Sequence, residues 1–120
     1  MKVRLSKDFH FEASHRLNHL PEEHPCHQLH GHGYRVAVEV YGEVDTKTGF
    51  LIDYSELKQI VGPVVAQLDH QHLNDVQGLS YTTAEHIAAW LWKQIKPHLP
   101  ILSKITIYET ATTRCEYTGE

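Results

Sequence analysis

From residue 2 to residue 17 the chain alternates between apolar and polar positions. Val3, Leu5, Phe9, Phe11, Ala13 and Leu17 take odd positions, interrupted by Lys7, and the even positions from Lys2 to Arg16 are polar. A period of two predicts a half-buried strand whose odd face looks inward, and His15 falls on that face. Residues 18–29 hold Asn18, Pro21 and Pro25 with no clear period, which predicts a loop. A second strand is expected from His30 to about Val44. Its even face carries His30, His32, Tyr34, Val36, Val38 and Val40, and its odd face is more polar, with Arg35 and Glu39. The stretch DTKTG at 45–49 reads as a turn.

The period then changes. Asp53 followed by Glu56 has the form of a capping box, and Leu57, Ile60, Val61, Val64, Val65 and Leu68 follow at helical spacing. Gly62 and Pro63 inside that run predict a kink or a late helix start. DHQHLNDVQGLSY reads as a loop. Thr82 with Glu85 forms a second capping-box pattern, followed by Ile87, Trp90, Leu91 and Ile95 on one face and ended by Pro97. KITIYET, 104–110, predicts a last long strand with Ile105, Ile107 and Glu109 on one face, and CEYTGE a short terminal one. The order β-β-α-α-β-β predicts an α+β domain, helices on one face of an antiparallel sheet.

The 120 residues fit one domain, 1–120. A chain this long buries roughly two thirds of its unfolded surface, so it needs no metal or disulfide merely to hold a core. The net charge of -4 and pI near 6.2 argue against a nucleic-acid surface. No apolar run reaches membrane-spanning length, and MKVRLSKDFHFE lacks the apolar segment of a secretory signal. The cytoplasm is therefore the expected compartment, with Cys26 and Cys115 as free thiols.

The composition is unusual in its eleven histidines, seven of which fall between residues 10 and 32. A lone inward histidine is ordinarily a satisfied core residue. Three on adjacent apolar faces, His15, His30 and His32, are a different matter. A His-X-His pair in a strand puts both rings on one side, and if the two strands form a hairpin His15 meets them. Three imidazoles leave a fourth zinc position open, the catalytic pattern. Cys26 is open to three readings: a fourth ligand that closes the site, a base or nucleophile beside the metal, or a plain buried thiol. His10 is expected to face solvent, and His19, His24 and His27 to be loop residues. Asp69 beside His70 can orient the imidazole, although adjacency alone is common in polar loops. Glu109, on an apolar face, needs a donor partner. That partner is either internal or a ligand offering two parallel N–H groups, such as a pterin edge.

FEASHRL, CHQLHGH, GEVDTKTGFLIDYSELK, LDHQHLND, TTAEHIAAWLW, IYET and CEYTGE together span essentially the whole chain. In these stretches the chain resembles the 6-pyruvoyl-tetrahydropterin synthase family. The spacing from Cys26 to His30-Gly-His32 is similar to the branch serving queuosine biosynthesis. The resemblance implies the tunnelling fold, a four-stranded antiparallel sheet with two helices on one face, and a homo-oligomer joined sheet to sheet into barrels, with active sites at subunit interfaces. It implies Zn2+ on His15, His30 and His32, Cys26 as the catalytic base, His70 with Asp69 as a proton relay, and Glu109 as the pterin anchor. Thr83 and Glu85 match the family's pterin-pocket stretch, and Ala84 departs from the Ser or Thr often found there. The activity implied is a zinc-dependent lyase acting on a pterin triphosphate and yielding 6-carboxy-tetrahydropterin. The alternatives are the pyruvoyl-forming activity of the wider family and a zinc- or pterin-binding module without chemistry. Lys7, Arg16 and Arg35 are candidate triphosphate contacts.

Overall fold

The computed structural model describes all residues from 1 to 120. The first alternating segment forms β1, Lys2–His15, and the second forms β2, His30–Glu43. They pair antiparallel over their whole length, from Lys2 opposite Glu43 to His15 opposite His30. This register places the odd face of β1 and the even face of β2 on one side. Phe11, Ala13, Tyr34, Val36, Val38 and Val40 are buried there, and Phe11 stacks on Tyr34 with ring centroids 4.7 Å apart.

Helix α1 spans Tyr54–Ala66, and its N-cap Asp53 accepts from the Ser55 N–H at 2.9 Å. Glu56 returns no bond to Asp53, so half of the expected capping box forms. Nor does Gly62-Pro63 delay the helix: it runs continuously through Pro63, held by buried Leu57, Val61, Val64 and Val65. Helix α2, Ala84–Ile95, buries Ile87, Ala88, Trp90, Leu91 and Ile95. Its N-cap is Thr83, not Thr82. Helix α1 lies against β1 and α2 against the last two strands, so both cover the same sheet face.

The α+β expectation holds, but the sheet has five strands rather than four. Gln71–His72 forms a two-residue β3 that pairs parallel to β1 at Ala13 and Ser14. The remaining strands are β4, Leu102–Tyr108, and β5, Arg114–Tyr117, and the order is β3-β1-β2-β4-β5. Two residues carry no periodicity to read. β3 is captured by the edge of β1: the His70 N–H donates to the Glu12 carbonyl at 2.6 Å, and the Glu12 N–H donates to Asp69 Oδ1 at 3.0 Å. β4 stops at Tyr108, which leaves Glu109 one residue beyond the strand in which it was expected.

Candidate metal centre and active site

The hairpin register assembles the histidine cluster. His15 faces His30, and His32 faces Ala13 two residues away, all on the inner face. One ligating atom from each ring lies within 4.8 Å of the others. Ring centroids are 4.5 Å apart for His15 and His30, 5.2 Å for His15 and His32, and 5.0 Å for His30 and His32.

The hydrogen bonds fix the tautomers. His15 Nδ1 lies 2.8 Å from the Thr82 carbonyl, an acceptor, so it carries the proton and Nε2 keeps its lone pair. The same logic applies to His30, whose Nδ1 donates to the Gln28 carbonyl at 2.7 Å. His32 Nε2 is buried with no hydrogen-bond partner, although Glu109 Oε1 lies 3.2 Å away, out of line. Two rings locked at Nδ1 by carbonyls and a third with an orphaned nitrogen form a donor set of the kind metal sites use. His15 is 1% exposed, and burial is the main cause that pushes its pKa down to about 4. The bond to Thr82 opposes that shift, and the neighbouring imidazoles reinforce it. The ring therefore stays neutral, as a ligand must be. Zinc–nitrogen bonds of ~2.0–2.1 Å in a tetrahedron need nitrogens roughly 3.4 Å apart, and the ligating atoms here lie within 4.8 Å of one another.

Glu109 stands beside the cluster, its Oε1 3.7 Å from His15 Nε2. With Glu85, Ile107, Thr113, Arg114 and Cys115 it lines a depression of about 110 Å³. Thr83 is turned elsewhere, its Oγ1 2.9 Å from His86 Nδ1. Tyr34 is buried with its hydroxyl 3.4 Å from His15 Nε2, and burial, then the Glu109 carboxylate, hold its proton on. The part Thr82 plays in holding His15 was not expected. Its hydroxyl also lies 3.2 Å from Nδ1, and the capping pattern had drawn it to the helix instead.

Cys26 lies outside the ligand cluster, on a 3-10 turn at Pro25–His27. Its carbonyl accepts the Leu17 N–H at 2.8 Å, which ties its backbone two residues beyond His15. Asp69 Oδ1 is 3.1 Å from His70 Nδ1, so the expected pair forms. The Glu12 N–H, chiefly, holds the Asp69 carboxyl below its ordinary pKa. His70 sits in the left-handed region at φ 58 with its side chain 77% exposed, and no hydrogen bond joins it to Cys26 or the cluster. His70 and His32 border one open depression of about 550 Å³. Of the cationic candidates, Arg35 pairs with Asp8 at 3.0 Å and lies over the Tyr108 ring, Lys7 lies over Phe9, and Arg16 contacts His27. No helix is long and apolar enough to cross a membrane.

Fold and site define a small α+β protein whose central hairpin carries a three-histidine metal-ligand set beside a carboxylate. The family model for 6-pyruvoyl tetrahydropterin synthase matches residues 4–120, and the chain belongs to that family. It is 38% identical over 119 residues to the 6-carboxy-5,6,7,8-tetrahydropterin synthase of Synechocystis sp., covering 94% of this chain and 91% of that protein. It is 33% identical over 135 residues to the human 6-pyruvoyl tetrahydrobiopterin synthase, covering 99% and 93%. The Caenorhabditis elegans 6-pyruvoyl tetrahydropterin synthase structure superposes with a TM-score of 0.92 at 29% identity, over 100% of this chain and 97% of that one.

Proposed function

We propose that residues 1–120 form one catalytic domain, a zinc-dependent lyase of the cytoplasm. It converts 7,8-dihydroneopterin triphosphate and water to 6-carboxy-5,6,7,8-tetrahydropterin, acetaldehyde and triphosphate, a step toward 7-deazaguanine and queuosine. The observation that carries this reading is the cluster of His15, His30 and His32, two of its rings locked at Nδ1 by carbonyls, with Glu109 at its edge. The 38% identity to a protein named for the 6-carboxy product favours that branch.

Bound zinc would supply Lewis-acid polarisation of the substrate's side-chain hydroxyls. The chain's residues do the rest. Glu109 accepts two parallel N–H bonds from the pterin edge and fixes its orientation, with Glu85 lining the same depression and Thr83 at the start of α2 the further contact the family pattern implies. Cys26 as thiolate takes a proton from the substrate side chain. Asp69 holds His70 to pass protons as acid and base, worth ~10²–10⁴ in rate. Triphosphate leaves by elimination, and a later carbon–carbon cleavage releases acetaldehyde. Since His70 is presented outward, its partner in the relay is a site on another copy of the chain, in a sheet-to-sheet homo-oligomer.

The test incubates the purified protein and zinc with dihydroneopterin triphosphate and measures acetaldehyde. Loss of triphosphate with accumulation of a pyruvoyl pterin makes the activity that of the human relative instead. Pterin binding without turnover leaves a binding module. A Cys26→Ala variant with full activity removes Cys26 from the role of base.

A further inference from the structure

His27 is the histidine of CHQLHGH that the metal cluster does not use, and its surroundings give it another task. Its Nδ1 lies 2.9 Å from the Leu20 carbonyl and its Nε2 2.9 Å from Arg16 Nη2. A carbonyl only accepts and a guanidinium only donates, so Nδ1 carries the proton and Nε2 the lone pair. His27 is therefore neutral, with both nitrogens in use and neither left for a metal. Arg16 is itself held by its backbone: its N–H donates to Asn74 Oδ1 at 2.9 Å, and its carbonyl accepts from Asn74 Nδ2 at 2.9 Å. Arg16 Nε is buried with no acceptor. Burying an N–H in that way is costly, so the guanidinium sits where its partners put it.

The two halves of this brace straddle the site. Arg16 follows His15 directly, and His27 follows Cys26 directly. Between them the Leu17 N–H bonds the Cys26 carbonyl at 2.8 Å, and the Cys26 N–H donates to His24 Nδ1 at 3.0 Å. We infer that the Arg16–His27 contact, anchored by Asn74, is a positioning device that sets the Cys26 thiol relative to the His15 end of the metal cluster. This rests on the reading of Cys26 as the base. The loop that carries Cys26 runs from residue 16 to residue 29 with no strand or α-helix of its own. Without a brace a loop thiol samples many positions, and a misplacement of 1 Å from a remote change costs up to ~10²-fold in rate.

His27→Phe keeps a planar ring and removes both nitrogens, while His27→Gln offers an amide N–H and C=O in their place. Each is assayed for kcat and KM by acetaldehyde release, for zinc affinity, and for iodoacetamide alkylation of Cys26 resolved from Cys115 by mass mapping. For His27→Phe the expected result is a kcat about tenfold lower with KM within about twofold. Zinc affinity should be unchanged and Cys26 alkylated at least about threefold faster, as the loop opens locally. His27→Gln should recover most of both losses. Arg16→Met breaks the same contact from the other side and should reproduce His27→Phe, also serving if that variant fails to fold. Wild-type kcat and wild-type alkylation in either contact-breaking variant overturns the inference. If the wild-type protein releases no acetaldehyde, the proposed activity fails, and the alkylation rates alone decide whether the brace holds Cys26.

Discussion

Acid should weaken the metal-free protein through His15. The ring is 1% exposed and its pKa is pushed down to about 4, against 6.5 for a free histidine. Above about pH 6.5 the ring is neutral in both folded and unfolded chains and costs nothing. As pH falls from 6.5 toward 4 the unfolded chain takes a proton that the folded one refuses, so stability is lost across that window. Below 4 both are protonated and the loss levels off. A depression of about 2.5 units at ~1.36 kcal/mol per unit makes the full loss about 3 kcal/mol, with about 2 kcal/mol gone by pH 5. Urea unfolding of chelated protein at pH 7.5 and pH 5 measures the change, and a His15→Gln variant, which cannot titrate there, supplies the baseline. Wild-type protein should lose about 2 kcal/mol more than the variant between the two pH values. Equal losses would show that His15 is not held neutral by burial, and the tautomer assignment at the cluster would fall with it.

Three further outcomes follow from the same geometry. Phe11→Ala empties a position that is 2% exposed and stacked on Tyr34. It should cost about 3–5 kcal/mol in urea unfolding and weaken metal affinity by releasing the Tyr34 wall. Removing metal with a chelator should leave the circular dichroism spectrum intact, because the apolar core has 24 buried residues of its own. Zinc at a hundred times its dissociation constant should then add about 2.7 kcal/mol, seen as a higher melting temperature. Glu109→Gln should keep the fold, since the carboxylate side chain is 30% exposed at a strand end. It should weaken pterin binding by about tenfold or more in fluorescence titration, by losing one charge-assisted acceptor.

The histidine cluster was legible because strand parity is a two-state variable. Once Val3, Leu5, Phe9 and Phe11 assign the odd face of β1 to the core, His15 goes with them. The valines of β2 carry His30 and His32 to the same side in the same way. Antiparallel pairing then has only to bring the two ends together, as it does at His15 and His30. What the pattern could not show is whatever depends on hydrogen bonds between distant loops. β3 is two residues long and is made by Glu12, a partner 57 residues before Asp69. Thr82 has the sequence signature of a cap, but its carbonyl is taken by His15 from 67 residues away, and Thr83 takes the N-cap position without a side-chain cap bond. Pro63 predicts an interruption from local sterics alone, and the burial of Val61, Val64 and Val65 overrides it.

The accessibility of the three histidines also limits how a substrate can approach. His15 is enclosed: Thr82 holds its Nδ1, Tyr34 stands 3.4 Å from its Nε2, and Phe11 backs the tyrosine. His30 and His32 are half-buried and lie at the loop end of the hairpin. A ligand completing a metal's coordination must therefore enter past those two rings, from the end where the loop carrying Cys26 leaves β1. Glu109 reaches the same end from β4, and the depression it shares with Glu85 opens beside it. One chain thus gathers the three histidines, the carboxylate and, through Leu17, the backbone of Cys26. Asp69 and His70 are tied to the Glu12 backbone at the edge of β1, and His70 and His32 border one depression. The His70 side chain is 77% exposed there, and no hydrogen bond joins it to the cluster or to Cys26. If the proposed relay through His70 is completed by a second copy of the chain, a monomeric variant that still binds zinc and pterin should release no acetaldehyde.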